Sequence, residues 1–264
     1  MNRHEIQLYI IILLCLYSFQ LKAQEQEKHD NLFTAGHASA FIGGLYDGYL
    51  PYSDLLLHGD FGLGAPDKLD GELLILDGKI YQTQSSGKTS EIQGTGLTPF
   101  SVVNFFNTDS TFKVPRQMDK DQLYAYLDSI LPNQNGIYAI RIKGAFNKIE
   151  TRAFPPVSKK PYVPLAEMIP LQQFFAFTEV KGDLVGYRIP NYMEGPNIVG
   201  YHFHFLSEDK TGGGHIINLL TDDITIEVDY LNSFTVNLPQ TKDFENFDLN
   251  KDRSEELKQV ENGM

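Results

Sequence analysis

Gly200 to Leu220 reads GYHFHFLSEDKTGGGHIINLL, and two strands with a polar turn between them account for every residue type in it. In a strand, residues i and i+2 project to the same face. His202 and His204 therefore point together, while Tyr201, Phe203 and Phe205 cover the opposite face. Ser207 to Gly214 is all polar or glycine, the composition of a turn. His215 then opens a second apolar run, Ile216-Ile217-Asn218-Leu219-Leu220. A hairpin folds His215 back beside the first pair. With His204 opposite His215, the cross-strand rule puts all three rings on one face. Three neutral imidazoles on one face form a three-ligand metal site with open positions, as catalytic zinc requires. The competing reading is a polar sheet face that happens to carry histidines.

Working outward, the same strand-and-turn pattern dominates. Leu69 to Gln82 holds two apolar runs around Asp77-Gly78, a strong hairpin signal. Ile137 to Phe146 alternates as a strand, and strands dominate from Leu184 to Leu238, with turns at Asn191, Gly195 and Gly212 to Gly214. Helical spacing is rarer. Met118 to Leu131 places Leu123, Leu127 and Leu131 on one face and stops at Pro132. Ser39 to Tyr46 and Asp252 to Val260 read as short helices, and Leu165 to Phe175 as a helix interrupted by Pro170. The prolines between Thr151 and Pro164 mark a crossing between two halves. The expected division is a leader over 1–23, an N-terminal α+β half over 24–150 and a β-rich half over 151–264 that carries the metal site.

Composition agrees with a folded, strand-rich chain. The 264 residues are 42% apolar and 21% charged, with 22 Gly, 13 Pro, 18 Phe and 14 Tyr. That excludes wholesale disorder, collagen and coiled coil. A net charge of −12 argues against nucleic acid or an anionic membrane as partner. The one cysteine, Cys15, excludes a disulfide framework and a cysteine-based zinc finger.

The first residues read as a leader. Arg3 precedes the apolar run Leu8 to Phe19, which is short for a bilayer span. Leu21-Lys22-Ala23 ends in a small residue before a polar stretch. The pattern predicts a secretory signal cleaved after about Ala23 and an exported protein, periplasmic or secreted. A retained anchor helix is the alternative. Leu14 and the apolar residues after Cys15 argue against lipidation there.

Glu72, Arg152 and Glu261 are not distinguished by pattern alone. Each reads as a strand-end or helix-end charge in solvent, just as His29, His37 and His58 read as surface or locally bonded histidines. A resemblance selects them. Gly59-Asp60-Phe61-Gly62-Leu63-Gly64, Leu69-Asp70-Gly71-Glu72, Thr98-Pro99-Phe100, Thr151-Arg152, Gly186-Tyr187-Arg188 and the two histidine motifs follow one another as in the alpha-acetolactate decarboxylases. The chain resembles that family from about His37 to Glu261. The resemblance implies an α+β subunit of two subdomains built on mixed, mostly antiparallel β-sheets with a few helices, assembled as a homodimer. It implies Zn2+ as cofactor, His202, His204 and His215 as metal ligands, and Glu72, Arg152 and Glu261 as catalytic residues. It implies a carboxy-lyase acting on the small molecule 2-acetolactate, giving acetoin and carbon dioxide. One departure stands out: Ala65 occupies a position where the family often has threonine.

The chemistry suits those residue types. Loss of carbon dioxide from acetolactate leaves an electron pair that enters the neighbouring ketone as an enediolate. A metal chelating the ketone and hydroxyl oxygens stabilises that charge, and no organic cofactor is needed. Two other readings compete. In a cupin-like enzyme, His202-x-His204-x-x-x-Glu208 would bind the metal with Glu208 as ligand. In a secreted binding module, the zinc would be structural and closed to substrate.

Overall fold

The computed structural model describes residues 30–131 and 133–262, and the expected leader lies outside them. The chain opens with β1 (Asn31–Ala35), α1 (Ala38–Ile42), β2 (Leu50–Pro51), α2 (Tyr52–Leu55), β3 (Phe61–Ala65), β4 (Glu72–Leu76), β5 (Lys79–Thr83), β6 (Thr89–Ile92), β7 (Leu97–Thr98) and β8 (Phe100–Asn104). It continues with β9 (Ser110–Pro115), α3 (Lys120–Ile130), β10 (Ile137–Ala153), α4 (Leu165–Met168), β11 (Gln173–Ile189), β12 (Gly200–Ser207), β13 (Gly213–Leu231), β14 (Ser233–Asn237), α5 (Lys242–Glu245) and α6 (Ser254–Asn262).

The strands form two main sheets. A seven-stranded sheet runs β14-β1-β8-β3-β4-β5-β6, and a five-stranded sheet runs β10-β11-β12-β13-β9. Only the β1–β14 pair of these is parallel, so the sheets are mixed and mostly antiparallel, as the resemblance implies. In the second sheet β10 pairs with both β11 and β13, and those two are joined through β12. The four strands therefore close on themselves.

Local chemistry explains the elements. Asp77 and Gly78 both take positive φ, 52° and 74°, the pair that a two-residue hairpin turn demands. Leu73 and Ile75 pack on one face of β4, Leu74 and Leu76 on the other, so the strand is buried on both sides. Asp119 caps α3, accepting from Gln122 N at 2.9 Å while the Gln122 side chain accepts from Asp119 N. The buried Leu123 and Leu127 then lay α3 over the aromatic face of β12, against Phe203 and Phe205.

Several expectations are corrected. The strand from Ile137 runs on to Ala153, so the 150/151 division falls inside β10. The change of sheet comes earlier, between β8 and β9, and β14 returns to the first sheet. The helix expected to reach Phe175 ends at Met168; a 3-10 turn covers Ile169–Leu171, with Pro170 in it, and Gln173 already lies in β11. The first helix is shorter than Ser39 to Tyr46, stopping at Ile42, with Gly43 as its C-cap. The last helix lies two residues further along than expected, Ser254–Asn262, and so includes Glu261.

A large core fills the space between the two sheets, with Leu32, Phe61 and Leu74 from one side and Val185, Tyr187 and Leu206 from the other. A buried polar chain also joins them. The Tyr187 hydroxyl donates to Asn104 Oδ1 at 2.8 Å, and Asn104 Nδ2 donates to Asp229 Oδ2 at 2.8 Å.

Candidate metal centre

The hairpin of β12 and β13 has the register the histidine spacing demands: His204 lies opposite His215. On the far side of β13, His215 lies opposite Arg152 of β10. Directly opposed residues share a face, so Arg152, His215 and His204 form one row across three strands, with His202 two residues along from His204. Gly214 makes this approach possible. Its φ is +121°, and a Cβ there would stand 2.8 Å from the Arg152 carbonyl oxygen.

One nitrogen of each of His202, His204 and His215 lies within 4.8 Å of the others, and all three side chains are buried. His204 Nδ1 donates to the Leu73 carbonyl oxygen at 2.6 Å, which fixes its tautomer and leaves Nε2 as an acceptor. His202 Nε2 and His215 Nδ1 are 3.1 Å apart. Burial, reinforced by the Arg152 charge, lowers the His202 pKa to about 3; burial first, then the neighbouring His202 and Arg152, holds His204 far below the ordinary imidazole value, and burial, Arg152 and the other two histidines do the same for His215. All three rings are thus neutral bases at physiological pH, the state a metal requires.

The opposing sheet and the C-terminal helix complete the cluster. Glu72, at the start of β4, puts Oε2 3.5 Å from His204 Nε2. Its Oε1 accepts from Arg152 Nη1 at 2.7 Å, in an ion pair whose side chains are 3% and 10% exposed. Arg152 Nη2 donates to the Val260 carbonyl oxygen at 3.3 Å, while Nε is buried with no partner. Glu261 Oε2 stands 4.0 Å from His202 Nε2 and 3.9 Å from His215 Nε2. Burial drives both carboxyls up to about 7, against the opposing pull of Arg152. Two acids that titrate near neutrality can hold or give a proton there.

These groups line one cavity, whose apolar wall includes Phe41, Ile42, Ala65, Phe100, Phe154 and Val260. Ala65 contributes a methyl to that wall; its carbonyl oxygen accepts from the Thr98 hydroxyl, which also bonds the Ser101 hydroxyl. Glu208 is exposed in the turn after β12 and lies outside the histidine cluster, which removes the cupin-type ligand set. His58 stacks on Phe33, with ring centroids 3.8 Å apart. His37 precedes α1, half-buried, and burial lowers its pKa. His29 lies outside the described residues.

Comparison with known proteins places the chain in a family. The family model of alpha-acetolactate decarboxylase matches residues 32–251. An alpha-acetolactate decarboxylase of Methanosarcina mazei is 39% identical over 232 residues, covering 88% of this chain and 80% of the relative. One from Bacillus subtilis is 34% identical, covering 91% of this chain and 93% of the relative. The crystal structure of alpha-acetolactate decarboxylase from Bacillus subtilis superposes with a TM-score of 0.85 at 34% identity, over 89% of this chain and all of that one. With fold, length and sequence in agreement, the chain belongs to the alpha-acetolactate decarboxylase family, a family of carboxy-lyases.

Proposed function

We propose that this protein converts 2-acetolactate to acetoin and carbon dioxide with a zinc ion held by His202, His204 and His215. The observation that carries the proposal is one cavity uniting three neutral imidazoles, a buried arginine with an unpartnered donor and two carboxyls poised near neutral pH. The donor set fits zinc: three nitrogen ligands, one of them with its tautomer fixed by a backbone carbonyl. When bound, zinc supplies a Lewis acid that polarises the ketone and hydroxyl oxygens of the substrate.

The protein's own groups do the rest. Arg152 Nε is the donor free to take a substrate oxygen, while Nη1 stays with Glu72. Phe41, Phe100 and Phe154 keep bulk water from the carbon that loses carbon dioxide. Glu72 on one side and Glu261 on the other are the two acids available to protonate that carbon. Burial raises both to about 7, so near neutral pH each exchanges between its protonated and ionised forms.

A structural zinc in a binding module calls for a closed, fully protein-ligated site. Three histidines beside a cavity favour the catalytic reading. Carbon dioxide release from 2-acetolactate, measured on metal-stripped and zinc-restored protein, tests it. Release that zinc restores supports the proposal; no release in either form overturns it.

We also propose that residues 1–23 direct export and are removed, on the strength of the basic, apolar and small-residue order of that segment. The mass of the protein recovered outside the cytoplasm tests this. The homodimer expected from the resemblance is part of the same proposal and is tested by light scattering.

A further inference from the structure

Glu261 reaches the histidines from a nine-residue helix, so its position depends on what holds that helix. The apolar grip is slight: Val260 is buried, and Leu257 is partly buried against the core between the sheets. At its far end the helix is held by something more specific. Arg253, the residue before α6, has a side chain only 10% exposed and bonds Glu256 through Nη1 at 2.6 Å. Its guanidinium lies over the Phe247 ring, 5.2 Å from the centroid.

Both side chains fit against Gly43, the C-cap of α1. A Cβ at Gly43 would stand 2.4 Å from Phe247 Cζ and 2.7 Å from Arg253 Cζ. Gly43 has φ −79°, which any residue adopts, so the glycine is required for room and not for backbone freedom. The same helix α1 supplies Phe41 and Ile42 to the cavity wall. The slot that receives Arg253 is thus one residue away from the site.

We propose that Arg253, seated in the slot left by Gly43, is a positioning residue for the reaction: it fixes the start of α6 against α1 and so sets where Glu261 stands over the histidines. Arg253 touches neither the histidines nor Glu72. The eight residue steps from Arg253 to Glu261 span about 12 Å of helix, so a displaced start moves the carboxylate with it. The proposal rests on the reading of Glu261 as an active-site acid.

The experiment compares Arg253→Ala, Arg253→Lys, Gly43→Ala and Glu261→Gln with wild type. Amide exchange is followed over residues 254–262, with the strands of both sheets as reference, alongside steady-state kinetics on 2-acetolactate. In Arg253→Ala and Gly43→Ala, exchange in α6 should rise by about tenfold or more while the strands keep their protection. In the same two variants kcat should fall by about tenfold with KM changed far less, because substrate contacts remain, and Arg253→Lys should recover part of the loss. Unchanged protection of α6 in Arg253→Ala overturns the proposal, as does a released helix with wild-type kcat. Wild-type kcat in Glu261→Gln overturns the reading of Glu261 instead; the exchange data then still decide whether Arg253 seats the helix.

Discussion

Replacing Arg152 by alanine removes the one arginine or lysine among the described residues that line the site. Its ion pair with Glu72 is 2.7 Å long, and both side chains are almost fully shielded from water. Removing one member of such a pair leaves an uncompensated buried carboxyl and costs about 3–5 kcal/mol. The bond to the Val260 carbonyl and the contact with Phe154, 4.5 Å from guanidinium to ring, go as well. At roughly 2–4 °C per kcal/mol for a chain of this size, the melting temperature should fall by about 6–20 °C. Arg152→Lys keeps the charge and one bond to Glu72 but gives up the bond to Val260, a loss of about 1 kcal/mol. That variant should fold nearly normally and still lose turnover, because an ammonium cannot hold two oxygens in the fork a guanidinium offers. Thermal unfolding followed by circular dichroism, with carbon dioxide release on the same samples, separates the two effects. A melting temperature for Arg152→Ala within about 2 °C of wild type would show that the pair contributes no such stability. Full turnover in Arg152→Lys would return Arg152 to the status of an ordinary charge.

Three further outcomes follow from the same geometry. His202→Ala, His204→Ala and His215→Ala should each lose zinc and activity together, by more than the about 10–100-fold that loss of an outer partner costs; Glu208→Ala should keep both, as metal analysis will show. Glu261→Gln, and removal of residues 260–264, should leave circular dichroism and zinc content intact while cutting turnover by about a hundredfold or more, the usual share of a general acid. Asp229 is 1% exposed, and burial raises its carboxyl to about 7, above the ordinary value near 3.8. The folded protein therefore keeps that proton longer than the unfolded chain. Its contribution to stability is fully present below about pH 4 and fades as pH rises through 7. Asp229→Asn should flatten this part of the profile, and identical slopes for variant and wild type in denaturant melts from pH 5 to 8 would contradict it.

The histidine cluster was legible in the sequence because its signals are local. His202 and His204 share a face by the two-residue period, and the polar turn returns His215 to them. Asp77-Gly78 and the leucine spacing of Leu123 and Leu127 are likewise short-range signals that tertiary context did not override. Glu72, Arg152 and Glu261 carry no such signal. One begins a strand of the opposite sheet, one ends a long strand and one sits in the last helix, and only long-range packing brings them to the histidines. The resemblance, not the pattern, selected them. The length of β10 and the return of β14 beside β1 were hidden for the same reason: partners far away in sequence, Asn31 and Ser233 for instance, decide where those strands end. Arg253 and Gly43 left no trace in the pattern either, since a glycine needed for room looks like any glycine at a helix end.

Supplying racemic 2-acetolactate to the zinc-loaded protein and following acetoin by chiral chromatography tests the central claim most directly. The account predicts acetoin well above the spontaneous rate, one enantiomer in excess, and loss of both properties in His215→Ala. Acetoin at the spontaneous rate, with both enantiomers equal, from protein carrying its full complement of zinc would contradict it.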